Sequence, residues 1–95
     1  MRRRARKDEN QNPIVAALND LYVSVVDLSA VGCGLTDLLI GHRGVNYLIE
    51  IKNPNQPKSK RKLTKDQVEF HATWRGQKAV VESVDEILQI IGVTK

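Results

Sequence analysis

Between Gly34 and Pro54 the chain reads GLTDLLIGHRGVNYLIEIKNP, two short apolar runs that each carry charge. Runs of this length fit strands, whose alternate side chains point to opposite faces. Leu48, Glu50 and Lys52 therefore share one face, and Tyr47, Ile49 and Ile51 share the other. If TDLLIG pairs antiparallel with NYLIEIK across the HRG turn, Asp37 falls near the end of the strand that carries Glu50. Two carboxylates and an ammonium then converge at one edge of a sheet. At an effective dielectric of 20 and a separation of about 4 Å, two carboxylates repel by roughly 4 kcal/mol. A chain of 95 residues buries only about 60–70% of its unfolded surface, so it tolerates such a pair only with a cation between them.

The remaining pattern supplies the scaffold. Asn12 before Pro13 reads as the N-cap and first position of a helix, with Ile14, Val15, Leu18 and Leu21 on one face. YVSVVDL (residues 22–28) is β-branched and short, a strand, and the GCG turn follows it. Thr64 with Gln67 three residues on is a capping box for a second helix, and the apolar pair Phe70 and Trp74 is expected on that helix's core face, with base stacking the lesser alternative. KAVVE is a fourth strand. Ser83 and Glu86 form another capping box, opening a helix that ends on Gly92. The order αβββαβα defines an α/β fold with a mixed central sheet flanked by helices, in one domain spanning residues 8–95.

Charge is concentrated in two places. Arg2, Arg3, Arg4, Arg6 and Lys7 form a basic arm, residues 1–7, and without those five the chain has ten basic against eleven acidic residues. Six of the ten, Lys52, Lys58, Lys60, Arg61, Lys62 and Lys65, lie in or beside a loop carrying Pro54 and Pro57. Two cationic patches flanking an acidic cluster fit a polyanion whose counterions they release. Solvated charge runs are the plainer alternative. Arg43 and His42, in the hairpin turn, are further candidates for phosphate contact. No apolar run is long enough to span a bilayer and no signal-peptide pattern is present, so the chain is expected in the cytoplasm. Cys33 is the one cysteine, without a partner for a disulfide or a zinc site, and is read as a small loop or core residue.

Asp37, Glu50 and a strand carbonyl, that of Ile51, are hard oxygen ligands suited to Mg²⁺ or Mn²⁺, with Lys52 beside them. A divalent cation acidifies water and neutralises charge on a phosphate, which makes these the parts of a phosphodiesterase. His71 is then not needed as a base and is expected to pack or cap. The competing reading is an ordinary ion pair between Glu50 and Lys52 or Lys58 on the solvent face of an edge strand.

TDLLIGHRGVNYLIEIK resembles the Asp and Glu-x-Lys strands of the PD-(D/E)xK nuclease superfamily. More narrowly, GLTDLLIG, YLIEIKNP and RKLTKDQVEFHATWRGQKAVVESVDEIL, in that order, resemble the virus-type replication-repair nuclease (VRR-NUC) domain in its small stand-alone phage form, over residues 8–92. The resemblance implies a restriction-endonuclease-like core and Mg²⁺- or Mn²⁺-dependent cleavage of structured DNA. It also implies a homodimer acting on four-way (Holliday) junctions, without a small-molecule cofactor, in the cytoplasm of a bacterial host. Asp37 and Glu50 would bind metal, Lys52 would be catalytic, and Gln67 would reach into the site. Thr36 stands where the family usually has proline. The family's acidic residue on the first helix is missing, and Gln11 is the candidate for its place.

A homodimer is also expected because the first helix and the YVSVVDL strand hold more apolar residues than one small sheet covers. A non-catalytic nucleic-acid-binding module on the same scaffold is the alternative to a nuclease.

Overall fold

The computed structural model describes residues 11–32 and 34–93. The basic arm and Cys33 lie outside the described residues. In chain order the elements are α1 (Gln11–Asp20), β1 (Ser24–Asp27), β2 (Leu38–His42), β3 (Val45–Ile51), α2 (Lys65–Thr73), β4 (Lys78–Val81) and α3 (Val84–Ile91), with a short 3-10 turn at Lys58–Lys60. The expected αβββαβα order is observed.

The sheet runs β1-β2-β3-β4. β1 pairs antiparallel with β2, and β2 antiparallel with β3, while β3 and β4 are parallel. The parallel pair needs a crossover, which α2 and its flanking loops provide. One face carries the core: Leu38, Ile40, Ile49, Ile51 and Val81 pack with Leu18 of α1 and Ile87 of α3, each at most 1% exposed. Truncating any of these leucines or isoleucines to Ala costs about 2–5 kcal/mol, a large part of what a domain this size holds. α2 stands over the opposite face and buries none of its residues completely.

Several expectations change at the element ends. Asn12 is not the cap of α1, because Gln11 and Asn12 are already helical. Tyr22 is not in a strand. It ends α1 in the left-handed region at φ 60°, with Leu18 accepting from the Val23 N–H and Asn19 from the Tyr22 N–H. Those are the two bonds of a Schellman motif, in which glycine is the usual occupant. α3 likewise ends on a left-handed residue, Gly92, with Leu88 accepting from the N–H groups of both Gly92 and Val93. At the start of α3 the box is not reciprocal: Ser83 Oγ accepts from the Glu86 N–H, but the Glu86 carboxylate takes the N–H of Glu82. The hairpin turn is Arg43–Gly44, since His42 pairs with Val45 as the last rung of the ladder.

The packing also corrects the argument for a dimer. Ile14 and Leu18 are buried in the chain's own core, so most of the apolar face of α1 is already covered. What stays exposed near that edge is Leu21, Tyr22 and Val26. Among the described residues, no helix is long and apolar enough to cross a membrane.

Candidate active site

The β2–β3 register builds the site. Leu38 faces Ile49 and Leu39 faces Leu48, so one step further along the same ladder Asp37 lies across from Glu50. Both leave the sheet on the face opposite the core. Asp37 Oδ2 accepts the Ile51 N–H at 2.7 Å, which anchors the carboxylate to the end of β3. In a strand the N–H and C=O of one residue point the same way, so the Ile51 carbonyl turns toward Asp37 as well.

Glu50 is 2% exposed and sits on an interior strand. That rules out a solvent-face ion pair on an edge strand. Its Oε2 accepts from Gln67 Nε2 at 3.0 Å and lies 3.5 Å from Lys52 Nζ. Its Oε1 is buried and has no hydrogen-bond partner. Burial, then the Asp37 charge, push the Glu50 carboxyl up from 4.5 to about 8, against the opposing pull of Lys52. Without a cation the acid pair therefore keeps a proton near neutral pH.

Gln67 ties the cluster to α2. The predicted capping box forms in full: Thr64 Oγ1 accepts from the Gln67 N–H at 3.2 Å, and Gln67 Oε1 accepts from the Thr64 N–H at 2.9 Å. The same Oε1 accepts from Lys52 Nζ at 3.2 Å. With its oxygen engaged by two donors, the amide has only its NH₂ to turn toward Glu50. Gly34 allows this approach. It takes φ 79°, and a Cβ there would stand 2.5 Å from the Asp66 carbonyl oxygen, so only glycine lets the loop lie against the first turn of α2.

Asp37, Glu50, Lys52 and Gln67 line a cavity of about 270 Å³ together with Thr64 and Asp66. Asp66 was not singled out from sequence. A carboxylate in a first helical turn ordinarily answers the helix dipole, so nothing marked it as a wall of the site. Among the described residues no three His, Cys, Asp or Glu side chains group as a metal site. Two carboxylates, a buried Oε1 without a donor and the Ile51 carbonyl suit a hard cation that keeps several waters, as Mg²⁺ does.

The other candidates fall at different distances from this cluster. α1 runs back along β1, so Gln11 stands at the same end of the sheet. It is fully buried, its amide has no hydrogen-bond partner, and it is not among the cavity-lining residues. Lys58, Lys60 and Lys62 are exposed in the loop leading to Thr64. Arg61 is instead engaged by Glu82 at 2.8 Å, which ties that loop to the end of β4. Arg43, also at positive φ, lies six residues from Asp37 along β2, about 20 Å away.

His71 is half-buried with Nε2 unpartnered, and burial, then Lys78 and Lys52, lower its pKa, which keeps it neutral at pH 7. Phe70 and Trp74 do not enter the core. Phe70 is half-buried and Trp74 is 46% exposed, because α2 rests on the site face of the sheet.

No family model, curated protein or solved structure matches the chain.

Proposed function

We propose that this chain is a divalent-metal-dependent DNA endonuclease of the PD-(D/E)xK type, related to VRR-NUC domains. Its substrate is branched DNA, with the four-way junction cut by a homodimer. The observation that carries the reading is Glu50, buried opposite Asp37 with one oxygen lacking any donor and Lys52 alongside. A fold this small does not keep two facing acids and an ammonium in a cavity without use for them, because burying charge costs several kcal/mol that their mutual pairing returns only in part.

Asp37, Glu50 and the Ile51 carbonyl would hold Mg²⁺ or Mn²⁺. When bound, such an ion lowers the pKa of water and neutralises phosphate charge. Lys52 donates hydrogen bonds to a phosphate oxygen and stabilises the negative charge that grows there during hydrolysis. Gln67 positions Lys52 and Glu50 through one amide, and the Ile51 N–H fixes the Asp37 rotamer. Exposed Lys58, Lys60 and Lys62, with the arm at residues 1–7, supply phosphate contacts outside the cavity. A symmetric junction needs paired nicks, which a two-fold dimer with two sites delivers.

The test is cleavage of a labelled four-way junction against linear duplex of the same sequence, in Mg²⁺ and in EDTA. Metal-dependent preference for the junction is expected. Lys52→Ala should abolish cleavage and leave binding within a few-fold. Cleavage by Lys52→Ala at the wild-type rate would remove the enzyme reading, and binding without cleavage by the wild type would favour a non-catalytic module.

A further inference from the structure

A second cavity, about 630 Å³, opens on the same face of the sheet as the carboxylates. Its walls are Leu35, Leu39, Leu48 and Trp74, and Leu35 also lines the carboxylate cavity. Leu48 and Glu50 are two residues apart on one strand, so the two cavities are adjoining, about 7 Å apart along β3. The far end is bounded by Gly44 and Val45, next to Arg43 in the hairpin turn. A 630 Å³ recess is in the size range of small-molecule sites, and its composition, apolar walls with few polar groups, is theirs too.

Trp74 is held there rather than left loose. Phe70 stacks on its indole at 5.4 Å between centroids and 16° between planes. A Cβ at Gly76 would stand 2.7 Å from Trp74 Nε1, so the glycine makes room for the ring. The indole nevertheless remains 46% exposed. Asn46 and Gln77 place amides at the rim, each with a donor and an acceptor.

We infer that this groove receives one unpaired nucleobase of the strand whose phosphate lies at Asp37 and Glu50, stacked against Trp74. The inference rests on the nuclease reading above. A nucleobase fits better than a protein side chain for three reasons: the groove adjoins the phosphate site and shares Leu35 with it, its lining includes Asn46 and Gln77, whose amides can pair with base edges, and the turn at its far end carries Arg43 next to Gly44. Every base has a π-face, so such a pocket reads an unstacked base rather than a sequence. It would explain how one small chain tells branched or bulged DNA from continuous duplex.

Trp74 is the one tryptophan of the chain, so its emission reports the groove directly. The full chain, in Ca²⁺ to hold phosphate without turnover, is titrated with a duplex carrying a one-nucleotide bulge. The comparison is the same duplex with an abasic bulge. Quenching and an affinity on the order of ten-fold higher are expected for the base-bearing bulge. The variants have no tryptophan and are followed by the anisotropy of labelled DNA: Trp74→Ala should lose that difference and keep its affinity for continuous duplex, while Trp74→Phe should retain most of it.

Equal affinity for the two bulges overturns the inference. So does an emission change that follows protein concentration without DNA, which would mean a second copy fills the groove. The readout is binding, so failure of Mg²⁺-dependent cleavage would sink the nuclease reading separately.

Discussion

Replacing Glu50 by Gln should make the cation-free protein more stable at neutral pH while removing its response to Mg²⁺. The Glu50 carboxyl is raised from 4.5 to about 8 by burial and by Asp37. A folded pKa above the unfolded one means that the native state keeps a proton the unfolded chain has released. This contribution is complete below pH 4.5 and is lost progressively as pH climbs toward 8. Each pH unit in that window is worth about 1.4 kcal/mol, so by pH 7 the loss is roughly 3 kcal/mol.

Gln at position 50 has no proton to lose. Its carbonyl oxygen still accepts from Gln67 and Lys52, and its NH₂ turns toward Asp37. Thermal melts followed by circular dichroism from pH 5 to 9 in EDTA should show the Glu50→Gln Tm higher by about 10–20 °C at pH 7. The gap should narrow to a few degrees at pH 5. Mg²⁺ should raise the wild-type Tm and leave the variant unmoved, because the cation takes the proton's place between the acids. Parallel pH profiles for the two proteins would refute the reasoning.

Gln67→Ala removes a helix cap and the anchor of Lys52 together. Stability should fall by about 1–2 kcal/mol in denaturant melts, and junction cleavage should fall even where the variant is fully folded; full activity would show that Lys52 holds its place unaided. Tyr22→Gly should raise Tm by a few degrees, since a left-handed L-residue costs about 1–2 kcal/mol and the glycine's extra unfolded freedom returns only part of it. Tyr22 is 95% exposed, so the truncation surrenders little packing, and a lower Tm would contradict the strain argument. Deleting residues 1–7 should weaken junction binding and reduce its log–log salt slope by up to roughly 4.5, measured by anisotropy across salt concentrations. An unchanged slope would show that the arm makes no phosphate contact.

The part of the site set by local rules was readable in advance. Two-residue alternation put Glu50 and Lys52 on one face, and a hairpin between the two runs brought Asp37 near the end of that strand, while the exact register, Asp37 across from Glu50, is set by the two-residue Arg43–Gly44 turn. The Thr64 and Gln67 box was equally plain. What sequence hid depends on which side of the sheet a helix lands. Phe70 and Trp74 have the spacing of a core stripe, but that spacing is the same whether the stripe meets the core or lines a groove on the other face. Tyr22 looked like the start of a strand because its neighbours are β-branched, and nothing local announces a left-handed tyrosine. The Arg61–Glu82 pair joins residues 21 apart, beyond the reach of any periodicity. The α1 apolar face looked uncovered only because the docking of α3 on it is a long-range event.

The amide at position 67 carries a constraint beyond its contacts. Glutamate and glutamine are the two residues that close this kind of helix start from the third position. Glutamate would set another anion against the two acids already facing one another, and any shorter or apolar residue would leave the Thr64 N–H and the Lys52 ammonium without their shared acceptor. Glutamine is then the one side chain that serves helix and chemistry at once, so the chain has no freedom to improve its second helix's first turn without rewriting its cleft.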